Sequence, residues 1–185
     1  MSKIEKTTKF LALLRGLNVG GKNKLQMKDL AEIFVQAGCT GVQTFIQSGN
    51  VTFCTPNTLL KALPSLITQR IEARFGYKIP VVIRTAKEVG EAIRNNPFPK
   101  EDSEEQSLHV FFLADAPSLQ SVNALDPNRS PGDSFIVRGR EIYALFPNGP
   151  ARSKLTNSYF DAKLATTSTA RNWRTIHKLF DLLNS

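Results

Sequence analysis

Cysteine, histidine and long apolar runs are scarce in this 185-residue chain, and each scarcity removes a class of function. The two cysteines, Cys39 and Cys54, cannot build a disulfide framework, and a pair of thiols suits a reducing compartment. The two histidines, His109 and His177, stand far from both thiols in the sequence, so no zinc-ligand spacing exists and no metal is expected. The longest apolar stretches, Phe10 to Leu14 and Val110 to Leu113, fall far short of the roughly 18 residues of a membrane-crossing helix. The polar residues before Phe10 and the brevity of the apolar run after them do not match a secretion signal. A cytoplasmic protein with no membrane association is expected, and nothing in the sequence implies a cofactor.

Acidic residues are also few. The chain has 24 Lys and Arg against 16 Asp and Glu, for a formal charge of +8. The excess is segregated: residues 1–30 hold Lys3, Lys6, Lys9, Arg15, Lys22, Lys24 and Lys28 against Glu5 and Asp29. Residues 151–185 hold Arg152, Lys154, Lys163, Arg171, Arg174 and Lys178 against Asp161 and Asp181, whereas 86–106 is acidic. Clustered basic residues raise affinity for phosphate, including nucleic-acid backbones, through counterion release. A basic solubilising surface explains the same composition.

What is present is a regular succession of short apolar segments. Phe10 to Leu14 reads as a buried strand that ends at a glycine loop. Leu30, Ile33, Phe34 and Ala37 then recur at helical spacing up to Gly38, a left-handed terminator. Val42 to Ile46 and Val51 to Phe53 flank Gln47-Ser48-Gly49-Asn50, which has turn chemistry and predicts a hairpin. Leu59, Leu63, Leu66, Ile67, Ile71 and Phe75 form a second helical face, with Pro64 kinking or restarting it, and Pro80 to Arg84 is a further strand. The order βαββαβ predicts a ferredoxin-like unit, with two helices on one face of an antiparallel sheet.

Thr85-Ala-Lys-Glu88 is a capping box opening a helix that must stop before Pro97. Strand, helix, hairpin and helix then follow at Leu108 to Leu113, Pro117 to Leu125, Ser134 to Phe146 and Ser153 to Lys163. A last helix, capped by Ser168 or Thr169, runs to Leu183 with Trp173, Ile176, Phe180 and Leu183 on one stripe. The expected fold is α+β: two ferredoxin-like subdomains with antiparallel sheets, plus a C-terminal helix. The expected divisions are an N-terminal half over 1–85, a helix and acidic linker over 86–106, and a C-terminal half with its terminal helix over 107–185. No sequence repeat relates the halves.

Four stretches together resemble a bacterial family known as domain of unknown function number 1697. They are Leu14-Arg15-Gly16-Leu17-Asn18-Val19-Gly20-Gly21-Lys22-Asn23, Thr44-Phe45-Ile46-Gln47-Ser48-Gly49-Asn50-Val51, Asn96-Pro97-Phe98, and Thr169-Ala170-Arg171-Asn172-Trp173-Arg174-Thr175. The resemblance implies a cytoplasmic protein of two ferredoxin-like halves and implies no reaction, cofactor or substrate. Members of the family often carry asparagine after the tryptophan, where this chain has Arg174.

The segment Arg15 to Lys24 follows a strand and precedes a helix, which is where exposed N–H groups and a helix N-terminus receive anions. Arg15, Asn18, Gly20, Gly21, Lys22 and Asn23 are the candidate ligand residues there, and Lys24 could also neutralise phosphate. The spacing is neither that of a P-loop nor that of a dinucleotide fold, and a purely structural loop accounts for the same residues. Ser48 and Asn50 either build their turn or present polar groups beside the loop. Ser48 is no nucleophile, because it lacks an elbow motif and a placed base. Arg171 and Asn172, at the expected opening of the last helix, could grip phosphate or carboxylate, or Arg171 could pair with a structural carboxylate. The carboxylates Glu101, Asp102, Glu104 and Glu105 read as a solvated run.

Together these residues predict that the glycine loop and the entrance to the final helix converge on an anionic ligand, a phosphate-bearing small molecule or a nucleic acid. An enzyme acting on a small phosphorylated or carboxylated substrate in a cleft between the halves is the second expectation, set back by the lack of a placed base. A protein-interaction scaffold using its sheet is the third, and no protein partner is specified.

Overall fold

The computed structural model describes residues 8–99 and 107–185, so Glu101, Asp102, Glu104 and Glu105 lie outside the described residues. The chain divides into two units. The first holds the chain up to Glu88 together with Leu179–Ser185, and the second holds Val89–Lys178.

In the first unit, β1 (Thr8–Leu14) leads through the glycine loop to α1 (Met27–Gln36), and β2 (Thr40–Phe45) turns into β3 (Asn50–Thr55). A single turn, α2 (Asn57–Leu60), precedes α3 (Leu63–Phe75) and β4 (Val81–Thr85). Pro64 stands in the first turn of α3, where its missing N–H costs nothing, so the proline restarts the helix. The sheet order is β2-β3-β1-β4, all antiparallel. Period-two alternation sends Phe10, Ala12 and Leu14 of β1 into one cluster with Val51 and Phe53 of β3, Leu30, Ile33 and Phe34 of α1, and Ile67 and Ile71 of α3. Phe53 anchors it, with Phe10 at 5.8 Å and Phe34 at 5.2 Å between ring centroids. Gly38 and Gly76 take the left-handed conformation after α1 and α3 (φ 92° and 76°).

The second unit repeats this plan. After α4 (Ala86–Arg94), which opens with the predicted Thr85–Glu88 capping box, come β5 (Leu108–Leu113), α5 (Leu119–Asn123), β6 (Ser134–Arg138) and β7 (Glu141–Leu145). A 3-10 turn at Pro150–Arg152, α6 (Asn157–Leu164), β8 (Ser168–Asn172) and α7 (Trp173–Asn184) complete the chain. The sheet order is β6-β7-β5-β8, again antiparallel. Phe111, Ile142, Phe146, Phe160 and Leu164 lie in its core, with Phe111 and Phe160 edge to face at 5.0 Å. The fold is therefore α+β with two four-stranded antiparallel sheets, consistent with two ferredoxin-like halves and a terminal helix.

Two expectations change. Ser168 and Thr169 do not cap the last helix: residues 168–172 pair with β5 as an edge strand, and Asn172 performs the capping, its Oδ1 accepting the Thr175 N–H at 2.8 Å. The helix expected over Ser153 to Lys163 starts later. Thr156 is its N-cap, accepting from the Tyr159 N–H, because residues 150–152 are spent on the 3-10 turn. Among the described residues no helix is long and apolar enough to cross a membrane.

Candidate functional site

The glycine loop leaves the sheet already tied on both sides. The Leu14 N–H donates to the Gly49 carbonyl at 2.8 Å, and the Arg15 N–H donates to the Pro80 carbonyl at 3.1 Å. Gly49 must be glycine, since a Cβ there would stand 2.7 Å from the Leu14 Cβ and its φ is 75°. Within the loop, Gly16, Asn18, Gly20, Gly21 and Asn23 all take positive φ, and the Lys22 N–H closes a turn on the Val19 carbonyl. Asn18 accepts from the Leu25 N–H at 2.8 Å and donates to the carbonyls of Leu25 (2.8 Å) and Gln47 (2.9 Å), joining this loop to the β2–β3 turn. Asn23 donates to the Gly16 carbonyl at 3.0 Å.

Across the joint, the β2–β3 turn is held by Asn50, which is fully buried and donates to the Phe45 carbonyl (3.1 Å) and to the Ser48 hydroxyl (3.0 Å). Ile46 in that turn has φ 50°, a conformation a β-branched residue rarely adopts, and the residue is 51% exposed. Strain of this kind persists only where the surroundings over-determine it. The bonds from Asn18 and Asn50 on either side of Ile46 supply that restraint.

These two loops and the start of α1 enclose a groove of about 820 Å³, lined by Asn18, Gly21, Lys24, Gln47 and Phe75 and by 25–29. Gln26 is at the N-cap with extended backbone but makes no side-chain cap, so the first turn of α1 opens on the groove without the Ser, Thr, Asp or Asn that would ordinarily occupy its N–H groups. The partial positive charge of that terminus is reinforced by Lys24 and Lys28, both exposed. Asp29 is the carboxylate on the lining. It is bonded to the Arg74 guanidinium at 2.8 Å, and the same guanidinium reaches Glu32 at 3.1 Å. Arg74 also lies over the Phe75 ring, 5.1 Å from its centroid, fixing the aromatic wall to the acidic side chains of α1.

Of the predicted ligand residues, Asn18 and Gly21 line this groove, with Lys24. Arg15, Gly20, Lys22, Asn23 and Ser48 belong to the same pair of loops but not to its lining, and Asn50 is interior. Arg171 and Asn172 lie in the second unit, on β8. Arg171 is 9% exposed and donates to the Thr169 hydroxyl (2.9 Å) and the Ala170 carbonyl (2.8 Å), and desolvation pushes its guanidinium down to about 10, so it stays charged at neutral pH.

The family described as "Protein of unknown function (DUF1697)" matches residues 7–143. The chain belongs to that family. Among solved structures, a conserved bacterial protein of Streptococcus pneumoniae, SP0830, is similar at TM-score 0.72 and 18% identity, with 97% of this chain and 99% of that one covered. At that identity the likeness concerns the fold. No curated protein matches the sequence.

Sequence reasoning passed over Gln26, Met27, Lys28, Asp29, Gln47 and Phe75. One signal for them was legible. An amphipathic helix entered through Leu25-Gln26, with no capping residue, leaves N–H groups for something else to satisfy. Phe75 carried no such mark, because it continues the apolar stripe of α3.

Proposed function

We propose that this DUF1697 chain binds a phosphate-bearing anion in the groove at the start of α1. The uncapped first turn opening on that groove carries the reading. Lys24 and Lys28 add positive charge, and Arg74 offsets Asp29, so the groove presents a net attraction to an anion. Gly21 has positive φ and nothing within 4 Å of where a Cβ would be, which leaves the backbone open to close approach. With Asp29 engaged by Arg74, the lining favours binding over proton transfer. The two free thiols suit a reducing, cytoplasmic setting.

Calorimetric titration with inorganic phosphate and pyrophosphate tests this directly. Pyrophosphate should bind, and Lys24→Ala/Lys28→Ala should weaken it at least tenfold while leaving the unliganded melting temperature within a few degrees. Saturation at a hundred times Kd should stabilise the wild type by about 2.7 kcal/mol. Unchanged affinity in the double variant would remove the groove as the site. Binding of long nucleic acid that vanishes as salt rises, with pyrophosphate silent, would instead assign the affinity to surface charge.

A further inference from the structure

An antiparallel sheet with helices on one face commonly turns its other face to water, and neither sheet here is built that way. In β1, Phe10, Ala12 and Leu14 face the helix cluster, so Lys9, Leu11 and Leu13 lie on the other side, and both leucines are buried. In the second sheet, Leu108, Val110 and Phe112 of β5 and Tyr143 of β7 alternate with the residues of the helix cluster in the same way, and all four are buried. Each second face therefore needs a cover. Tyr143 identifies one: its hydroxyl donates to the Ala92 carbonyl of α4 at 2.7 Å in a buried bond, and Val89 and Ala92 are themselves buried. Lys9 identifies the other, since its ammonium donates to the Leu182 carbonyl at 2.6 Å, and Leu179 and Leu183 of the same helix end are buried. Helix α4 follows the last strand of the first sheet, yet from Val89 onward it belongs to the second unit. Helix α7 follows the last strand of the second sheet, yet from Leu179 onward it belongs to the first.

We infer that α4 and the end of α7 are exchanged straps: each leaves one sheet to close the second face of the other, so that the two units fold and unfold together. Helix α7 is continuous through the exchange, its first turns in the second unit and its last turns in the first. Loss of contacts at its far end therefore frays a helix that β8 leads into directly, and the damage reaches both units.

The chain carries its own pair of probes. Trp173, the only tryptophan, lies in the second unit, whereas Cys39 and Cys54 lie in the first. Urea unfolding of the whole chain carrying Cys54→Ser is followed by Trp173 fluorescence and by labelling of Cys39, which is buried, with a thiol reagent. The two midpoints should coincide. Leu183→Ala, in the part of α7 that belongs to the first unit, should lower both by about 1 M. Tyr143→Phe removes only the hydroxyl bonded to α4 and should lower both by a smaller, equal amount. Lys9→Met, which removes only the ammonium bonded to the end of α7, guards against a folding defect in Leu183→Ala: it too should move both midpoints together. A thiol that reacts at lower urea than the tryptophan transition, with Leu183→Ala moving the thiol midpoint alone, would overturn the exchange. So would Leu183→Ala and Lys9→Met leaving both midpoints where they are in the parent chain.

Discussion

Asn18 holds its left-handed backbone (φ 55°) and three hydrogen bonds at the junction of two loops. Asn18→Ala loses those bonds, each worth about 1 kcal/mol net, and places alanine where L-residues other than Asn and Gly are disfavoured by roughly 1–2 kcal/mol. Denaturant unfolding should therefore show a loss of about 3–5 kcal/mol, with Asn18→Gly less severe by about 1 kcal/mol because glycine accepts the conformation. Equal losses in the two variants would mean that backbone conformation contributes nothing. The sequence marked Asn18 and Asn50 as special but not in which role, since a polar side chain that bonds backbone and one that meets a ligand are the same letter. Only the partners, Leu25 and Gln47 for one and Phe45 and Ser48 for the other, separate the roles. His109 yields a different prediction. Burial depresses its imidazole below the ordinary 6.5, and its ring stands edge-on to Phe146 at 5.2 Å. The unfolded chain then takes up a proton at a higher pH than the folded one, so the stability His109 contributes is present above about pH 6.5 and lost as pH falls through the folded value. Melting temperature should decline between pH 7 and 5.5, and His109→Gln should flatten that decline; an unchanged slope in the variant would rule His109 out.

At the scale of elements, apolar periodicity located nearly every helix and strand, and the element that escaped shows what periodicity cannot see. Strand β8, Ser168-Thr-Ala-Arg-Asn172, has no apolar alternation, pairs on one side only, and runs into α7 without a turn. Its residues are those of a helix cap, and local chemistry alone favours that reading. Pairing with β5, distant in sequence, decides otherwise. The cap moves to Asn172, whose Oδ1 accepts the Thr175 N–H at 2.8 Å. Asn172→Ala should cost about 1 kcal/mol in denaturant unfolding and Asn172→Asp much less, because aspartate caps equally well. Comparable losses in both would argue that the amide nitrogen of Asn172 matters more than its oxygen. The other end of α7 is finished by a residue from the opposite end of the chain, Lys9, whose ammonium donates to the Leu182 carbonyl at 2.6 Å and the Ser185 carbonyl at 3.2 Å. A cation at a helix C-terminus is favoured by the dipole, and no local pattern announces it.

Across the whole molecule, the two sheets share strand order and the register of β1 and β5 with their neighbours, although their sequences share little and only the β2–β3 pair carries a register shift, between Thr40 and Gln43. Leu11 opposes Arg84 as Val110 opposes Arg171, and Leu14 opposes Val81 as Leu113 opposes Ser168. The Leu14 and Leu113 N–H groups donate to Gly49 and Arg140, and those of Arg15 and Ala114 to Pro80 and Thr167, each acceptor standing just before a strand of its unit. Element order made this correspondence readable from sequence, whereas the equivalence of Arg84 and Arg171 was hidden, because Val-Val-Ile precedes one and Ser-Thr-Ala the other. Both arginines are buried, at 1% and 9% exposure, and each donates through Nη1 to the carbonyl of the preceding residue, Ile83 at 3.0 Å and Ala170 at 2.8 Å. A buried cation needs its hydrogen bonds to offset desolvation, and lysine, though equally charged, cannot reproduce the planar geometry of a guanidinium. Arg84→Lys and Arg171→Lys should each destabilise the protein by about 1–3 kcal/mol, while Arg152→Lys, at an exposed position, should stay within about 0.5 kcal/mol of wild type. Denaturant melts of the three variants decide the matter: matched losses at 84 and 171 mean the two halves use the same device at the same strand position, and a loss at only one would show that shared register does not carry shared energetics.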